Sequence, residues 1–314
     1  MPKIGMSDLE IFPLALGGNP FGWTADTPAA EAILDGFVAG GGNFVDTADA
    51  YSAWAPGNQG GESETILGAW MKARGNRGRM VIATKVGAHP KFKGLAAATI
   101  LAAADASLKR LQTDRIDLYY AHFDDPGTPL LETLGAFDQL VRAGKVRHVG
   151  ISNYTPDRIA AWLRIARAHG FALPVALQPH YNLVHRGLFE RDLAPLAAEN
   201  HLAVFPYYSL ASGFLTGKYR SAEDARGAAR GSAVAKYLTN EGFGVIDALA
   251  AVAQAHGASI TTVALAWLLA KPAITAPLAS VSRPSQLSDL LAAARLRLTP
   301  DEVTRLDEAS ASFA

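Results

Sequence analysis

The sequence predicts an α/β protein, a (β/α)8 barrel of the TIM type, and three observations predict it. Short strand-like runs recur eight times along the 314 residues, each separated from the next by a stretch long enough for a helical crossover. The runs are continuously apolar rather than alternating, as in strands buried on both faces. No Gly-x-Gly-x-x-Gly follows the first run, which weakens the rival doubly wound sheet.

The elements follow in chain order. Residues 3–11, broken by Gly5 and by Ser7-Asp8, read as a small hairpin ahead of the barrel. Strands are expected at 14–16, 44–46, 81–85, 116–122, 149–152, 175–178, 203–207 and 274–276. A helix at 28–39 follows the start signal Thr27 and carries Ile33, Phe37 and Val38. The next, at 62–71, carries Ile66, Leu67 and Trp70, and the one at 99–111 spaces Leu101, Leu108 and Leu111 helically. Helices at 129–143 and 156–168 open on Thr128-Pro129 and Thr155-Pro156 and stop at Gly144 and before Gly170, a cap-and-stop pattern. Residues 220–240 are rich in Ala, Gly, Arg and Ser without apolar periodicity, and read either as a mobile surface loop or as a lid over a ligand. No internal repeat or linker divides the chain, so residues 1–314 form a single domain.

Composition narrows the function. Lys plus Arg and Asp plus Glu are 29 each, so the formal net charge is zero, which argues against a nucleic-acid partner or an anionic membrane surface. There is no cysteine, so disulfides, thiolate metal sites and Cys nucleophiles are excluded. His180 and His185 stand five apart without companion ligands, and no metal is expected. The start of the chain lacks the apolar core of a signal peptide, and the longest apolar run, 263–270, falls short of the ~20 residues of a membrane span. A cytoplasmic location is the expectation.

In a barrel, reactive groups gather at the C-terminal ends of the strands. Those ends carry Asp46, Lys85, His122, Ser152, Asn153, Gln178 and Tyr207. Lys85 alone reads three ways: a surface lysine just past a strand, a Schiff-base lysine, or a charge that tunes a neighbour. Asp46, ending the preceding strand, bears on the choice, because an unpaired buried carboxylate is costly. Paired with it, Lys85 stays protonated and cannot attack a carbonyl, which disfavours the Schiff base. Tyr51 lies five residues past Asp46, on the loop over the mouth. A free phenol has a pKa of ~10, too high for efficient proton donation near neutrality, and an adjacent ammonium lowers it. Tyr51 is then a general acid and the expectation is that Lys85 acidifies it. His122 reads as a structural histidine or as a group that orients the same carbonyl oxygen.

These residues sit in motifs that resemble the aldo-keto reductase superfamily over essentially the whole chain. The matching runs extend from Gly41 through Asp46 to Tyr51, from Ala83 to Lys85, from Asp117 to His122, from Gly144 to Asn153, across Leu177-Gln178, and from Gly213 to Lys218. The resemblance implies a (β/α)8 barrel with an N-terminal β-hairpin closing the bottom, and hydride transfer from NADPH to an aldehyde or ketone without metal. It places the catalytic tetrad on Asp46, Tyr51, Lys85 and His122. It implies that Ser152, Asn153 and Gln178 hold the nicotinamide carboxamide and that Tyr207 stacks on the ring. Leu215, Gly217 and Lys218 would lie along the pyrophosphate. Ser280, Ser282, Arg283, Gln286 and Asp289 resemble the adenosine-end cluster, with the Arg283 fork suited to a 2′-phosphate and hence to NADPH over NADH. Two departures are present. The family usually has Tyr-Ser-Pro-Leu where this chain has Tyr207-Tyr208-Ser209-Leu210, and Leu290 stands where many members have an Asn.

Trp23, Trp54 and Phe123 lie in loops over the mouth and suggest an apolar or aromatic carbonyl substrate. Two other readings stay open: a nucleotide-binding regulatory module, since relatives serve as channel β-subunits, and a Schiff-base lyase using Lys85. A homo-oligomer is compatible with the sequence.

Overall fold

The computed structural model describes residues 1–227 and 231–314. Eight strands form one parallel sheet: β1 (Ala15–Gly17), β2 (Phe44–Asp46), β3 (Val81–Val86), β4 (Ile116–Ala121), β5 (Val146–Ser152), β6 (Pro174–Gln178), β7 (Ala203–Val204) and β8 (Leu278–Ala279). The order across the sheet is β8-β1-β2-β3-β4-β5-β6-β7. At the far edge Thr275 N donates to Val204 O at 3.0 Å and Leu278 N to Pro206 O at 3.0 Å. The two edges therefore meet again, and the sheet curls in the manner of a (β/α)8 barrel. Among the described residues no single helix is long and apolar enough to cross a membrane.

Helices follow the strands, but the expected start signals hold only in part: Asp26 rather than Thr27 caps the first, and Leu130–Arg142 starts from Pro129 without a side-chain cap. Asp26 caps Thr27–Ala39 by accepting from Ala29 N, and Thr155 caps Pro156–His169 by accepting from Arg158 N. Glu62–Arg74 and Pro156–His169 both stop at a glycine in the left-handed conformation, Gly75 and Gly170. The helices pack their apolar faces on the outward side of the sheet.

The strand period of two decides what reaches the site. Phe44, Ala83, Tyr120 and Ala176 point into the interior, with Leu118, Phe205 and Leu278 around them, while Val45, Ile82, Tyr119 and Leu177 face the helices. Two residues further along each strand, the same parity carries Asp46, Lys85, His122 and Gln178 inward at the C-terminal mouth. Ser152 follows Gly150 in the same way. Gly150 is needed here because a Cβ on it would lie 2.4 Å from the Tyr120 ring, which crosses the interior.

Four expectations need adjustment. The last strand lies at Leu278–Ala279, not 274–276. Pro277 has no amide to donate, so although its carbonyl accepts from Ala15 N, the regular pairing with β1 falls on Leu278 and Ala279. Upstream of it, the Thr275 side chain substitutes by accepting from Val204 N at 3.1 Å. The seventh strand ends at Val204 rather than 207, since Pro206 interrupts it, yet Tyr207 N still bonds Pro179 O at 2.9 Å. Residues 3–11 form one antiparallel bridge, Lys3 to Glu10, rather than paired strands, with Ile4, Leu9 and Ile11 buried against the interior cluster. Within 220–240 the chain forms short helices at Ala222–Ala225, Gly231–Val234 and Ala235–Tyr237. Val234 and Tyr237 are buried there, and residues 228–230 of that segment lie outside the described residues.

Candidate active site

At the centre of the mouth, Lys85 is fully buried and surrounded by oxygen. Its ammonium donates to Asp46 Oδ2 at 2.5 Å, to Thr47 O at 2.8 Å and to Tyr51 OH at 2.8 Å. Three acceptors use all three protons of a charged lysine and leave no lone pair on nitrogen. That geometry runs against a nucleophilic Schiff-base lysine. Burial pulls Lys85 below the usual lysine range, while Asp46, Asp49 and Glu64 hold it up.

The phenol of Tyr51 accepts from Lys85 and donates to Asp46 Oδ2 over a long 3.3 Å. The expected acidification does not appear. Burial first, and then the Asp46 charge and hydrogen bond, push the Tyr51 phenol well above its ordinary range. The Lys85 charge is already neutralised by Asp46, so its pull on the phenol is weak in the resting site. Tyr51 is therefore held firmly protonated.

Beside it, the His122 ring stands 6.1 Å from the Tyr51 ring at 72°. Burial and the Lys85 charge push its imidazole well below the usual histidine range, so it is neutral. Its Nδ1 is buried without a hydrogen-bond partner among the described residues.

The residues expected at a nicotinamide join this cluster through one hydrogen-bond chain. Gln178 Nε2 donates to Asp46 Oδ1 at 2.9 Å, and Ser152 Oγ donates to Gln178 O at 2.9 Å. Asn153 Nδ2 donates to Ser152 Oγ at 3.0 Å and to His122 O at 2.8 Å, and Tyr207 OH donates to Asn153 Oδ1 at 2.7 Å. Asn153 has φ 58°, a left-handed conformation that Asn tolerates better than most side chains. This turn aims its amide across the mouth.

Other expected residues divide. Gly217 caps a short helix in the left-handed conformation, and Lys218 is exposed beside it. Leu215 has its side chain fully buried in the core, and its amide donates to Leu210 O. Ser280 Oγ donates to Asn19 Oδ1 at 2.6 Å, which brings in a residue that sequence reasoning missed. Its only sequence signal was its place just past β1. Gln286 uses its Oε1 to accept from Ser282 N and Arg283 N, so it closes the turn. Arg283 is exposed at that turn, Asp289 is half-buried on the helix that follows, and Leu290 is buried.

Aromatic rings frame the opening. Trp54 stands edge-on to Trp23 at 5.6 Å and 6.1 Å from Tyr51, and Phe123 stacks on His122 at 4.6 Å. Trp54 and Phe123 are about half exposed (52% and 49%), so apolar surface faces solvent directly above the phenol.

A second buried carboxyl also escaped sequence reading. Asp49 is fully buried, and neither of its oxygens has a hydrogen-bond partner among the described residues. Burial, reinforced by the Glu64 charge, pushes it up to about 8, against the pull of Arg110 and Lys85. Nothing in the local pattern Asp-Thr-Ala-Asp separates Asp49 from Asp46. Only their neighbours differ.

Comparison with known proteins follows the same lines. A model of the Aldo/keto reductase family matches residues 13–311. "Aldo-keto reductase ausK" of Aspergillus calidoustus is 35% identical over 95% of this chain and 78% of its own length. "Norsolorinic acid reductase B" of Aspergillus parasiticus is 33% identical over 96% of this chain and 82% of its own. "Protein tas" of Escherichia coli is 31% identical over 97% and 96%.

Proposed function

The chain belongs to the aldo/keto reductase family of oxidoreductases, and from that premise we propose that it reduces the carbonyl of an aldehyde or ketone with NADPH, reversibly. The observation that carries this reading is the Lys85 ammonium with Tyr51 OH as one of its three acceptors.

The residues present fit such a cofactor. A carboxamide needs both a donor and an acceptor, and Ser152, Asn153 and Gln178 offer both beside the half-buried ring of Tyr207. Past β8, Ser280, Ser282 and the exposed Arg283 line the rim, and a Cβ on Gly17 would lie 2.3 Å from Ser280 Oγ, so the backbone is stripped back there. Gly217 and Lys218 serve the phosphates, with Asp289 near the adenosine end. When bound, NADPH supplies the hydride that forms the new C–H bond at the carbonyl carbon.

This chain's own groups manage the proton. The carbonyl oxygen sits between Tyr51 OH and the neutral His122. As its π pair moves onto oxygen, the phenol gives up its proton and the new O–H bond forms. The long 3.3 Å bond to Asp46 is readily surrendered, so the phenol proton turns to the substrate at little cost. The phenolate left behind keeps its hydrogen bond from Lys85, a charge-assisted bond that strengthens as negative charge develops. Asp46 holds Lys85 in place, and His122, uncharged, donates its ring N–H to the carbonyl oxygen without competing as an acid. The substrate enters past Trp23, Trp54 and Phe123, which supports an apolar or aromatic carbonyl.

Tyr51→Phe tests the assignment. Turnover of an aldehyde panel, followed by loss of reduced-nicotinamide absorbance, is expected to fall by ~10²–10⁴-fold while cofactor binding persists. Near-normal turnover in that variant removes Tyr51 as the proton donor.

A further inference from the structure

Three rings near the mouth stack into a column. His180 lies two residues past Gln178, and its ring is 5.3 Å from that of Tyr207 at 20°. On its other side His185 stacks at 3.8 Å and 17°. The backbone builds this arrangement deliberately. His180 and Tyr207 pair as a parallel bridge, and a tight turn closed by mutual backbone bonds between Asn182 and His185 folds His185 back over His180. Asn182, fully buried, accepts from Val184 N at 2.8 Å inside that turn. It also donates to Tyr208 O at 2.9 Å, pinning a residue whose φ of 53° is left-handed. Tyr208 in turn stands edge-on to both His180 and Tyr207.

Tyr207 needs such support. Pro206 ends the strand before it, so a single bridge to His180 holds its backbone and leaves its ring to be held by side chains. Its hydroxyl is tied to Asn153 at one end, and the His180 face fixes its plane. Stacking at this distance requires uncharged imidazoles. Burial, the neighbouring ring and the cation of Lys236 push His180 down to about 3, and burial and Lys236 also lower His185.

We propose that His180 and His185 are positioning residues for the cofactor: with Tyr207 they form a three-ring column whose outer face is the platform on which the nicotinamide rests. This inference rests on the reading that the nicotinamide lies against Tyr207. The column holds the platform at one height and tilt.

The test compares His180→Ala, His180→Phe and Tyr207→Ala in the full chain, with NADPH as the probe and its fluorescence as the readout. An aromatic pair is worth ~0.5–1.5 kcal/mol, which converts to a rise in Kd of about two- to tenfold for His180→Ala. The loss should fall on cofactor KM more than on kcat, and His180→Phe, which keeps a flat ring, should restore binding. Thermal unfolding of each variant checks that it is folded. Weakened binding in Tyr207→Ala with wild-type binding in His180→Ala overturns the column and leaves the platform. A folded His180→Phe that fails to restore binding overturns stacking as the cause. Unchanged binding in Tyr207→Ala overturns both the column and the cofactor reading beneath it.

Discussion

Gln178 Nε2 donates to Asp46 Oδ1 at 2.9 Å, and both residues are buried. The amide that faces the expected nicotinamide therefore also holds the carboxylate that anchors Lys85. One hydrogen-bond chain runs from Tyr207 through Asn153, Ser152 and Gln178 to Asp46, Lys85 and Tyr51, and so links the proposed binding groups to the proposed proton donor.

Gln178→Ala leaves Asp46 Oδ1 without its donor. A buried acceptor so exposed costs ~1–3 kcal/mol. We expect lower thermal stability and a loss in kcat as well as in cofactor affinity. Weaker cofactor binding with unaltered kcat would show that Gln178 serves the cofactor alone.

Lys85→Met strips the ammonium from a fully buried carboxylate. Breaking one partner of such a pair typically costs ~3–5 kcal/mol, whereas removing both charges is far milder. Denaturant titration should show Lys85→Met strongly destabilised and the double variant Asp46→Asn, Lys85→Met largely recovered. Turnover should stay lost in both, because neither supports the Tyr51 phenolate. Recovered turnover in the double variant would contradict the role given to the ammonium.

Asp49 imposes a pH dependence on stability. Its carboxyl is raised from 3.8 to about 8 in the folded chain. Between those values the folded state holds a proton that the unfolded chain releases. The stability this contributes is whole below the unfolded value and is lost as pH climbs to the folded one, at no more than ~1.4 kcal/mol per pH unit. Asp49→Asn removes that slope. Unfolding at pH 5 and at pH 8 should show the difference between variant and wild type shifting in favour of the variant at the higher pH. An equal difference at both would mean that Asp49 is ionised throughout.

Arg283→Ala addresses cofactor choice. A guanidinium fork matches a phosphate, and this one is exposed beside the Ser282–Gln286 turn. NADPH affinity should fall by at least about tenfold, the ~1.4 kcal/mol of a charge-assisted hydrogen bond, while NADH affinity barely changes. Equal weakening of both removes the 2′-phosphate contact.

Much of this site was legible along the chain because it rests on local periodicity. Strand parity alone carries Asp46, Lys85, His122 and Gln178 to one mouth, since each lies two residues beyond an inward-facing neighbour. Helix caps such as Thr155 and stops such as Gly170 depend on a few adjacent residues and were equally readable. The eighth strand was misplaced because two apolar segments flank Pro277, and only the pairing of Leu278 and Ala279 with β1 decides between them. The motif from Gly213 to Lys218 does not say which of its side chains turns into the core, and the fold buries Leu215 while leaving Lys218 exposed.

The amino-acid order by itself determined an eightfold alternation of strands and helices and the chemical types that gather at its mouth. Only the folded arrangement decided how those groups hold their protons: a firmly protonated Tyr51, a raised Asp49, a neutral His122 and the stacked pair His180 and His185. The reason is that desolvation and ring stacking come from residues brought together across the fold, as Asp46 and Gln178 are from 132 positions apart.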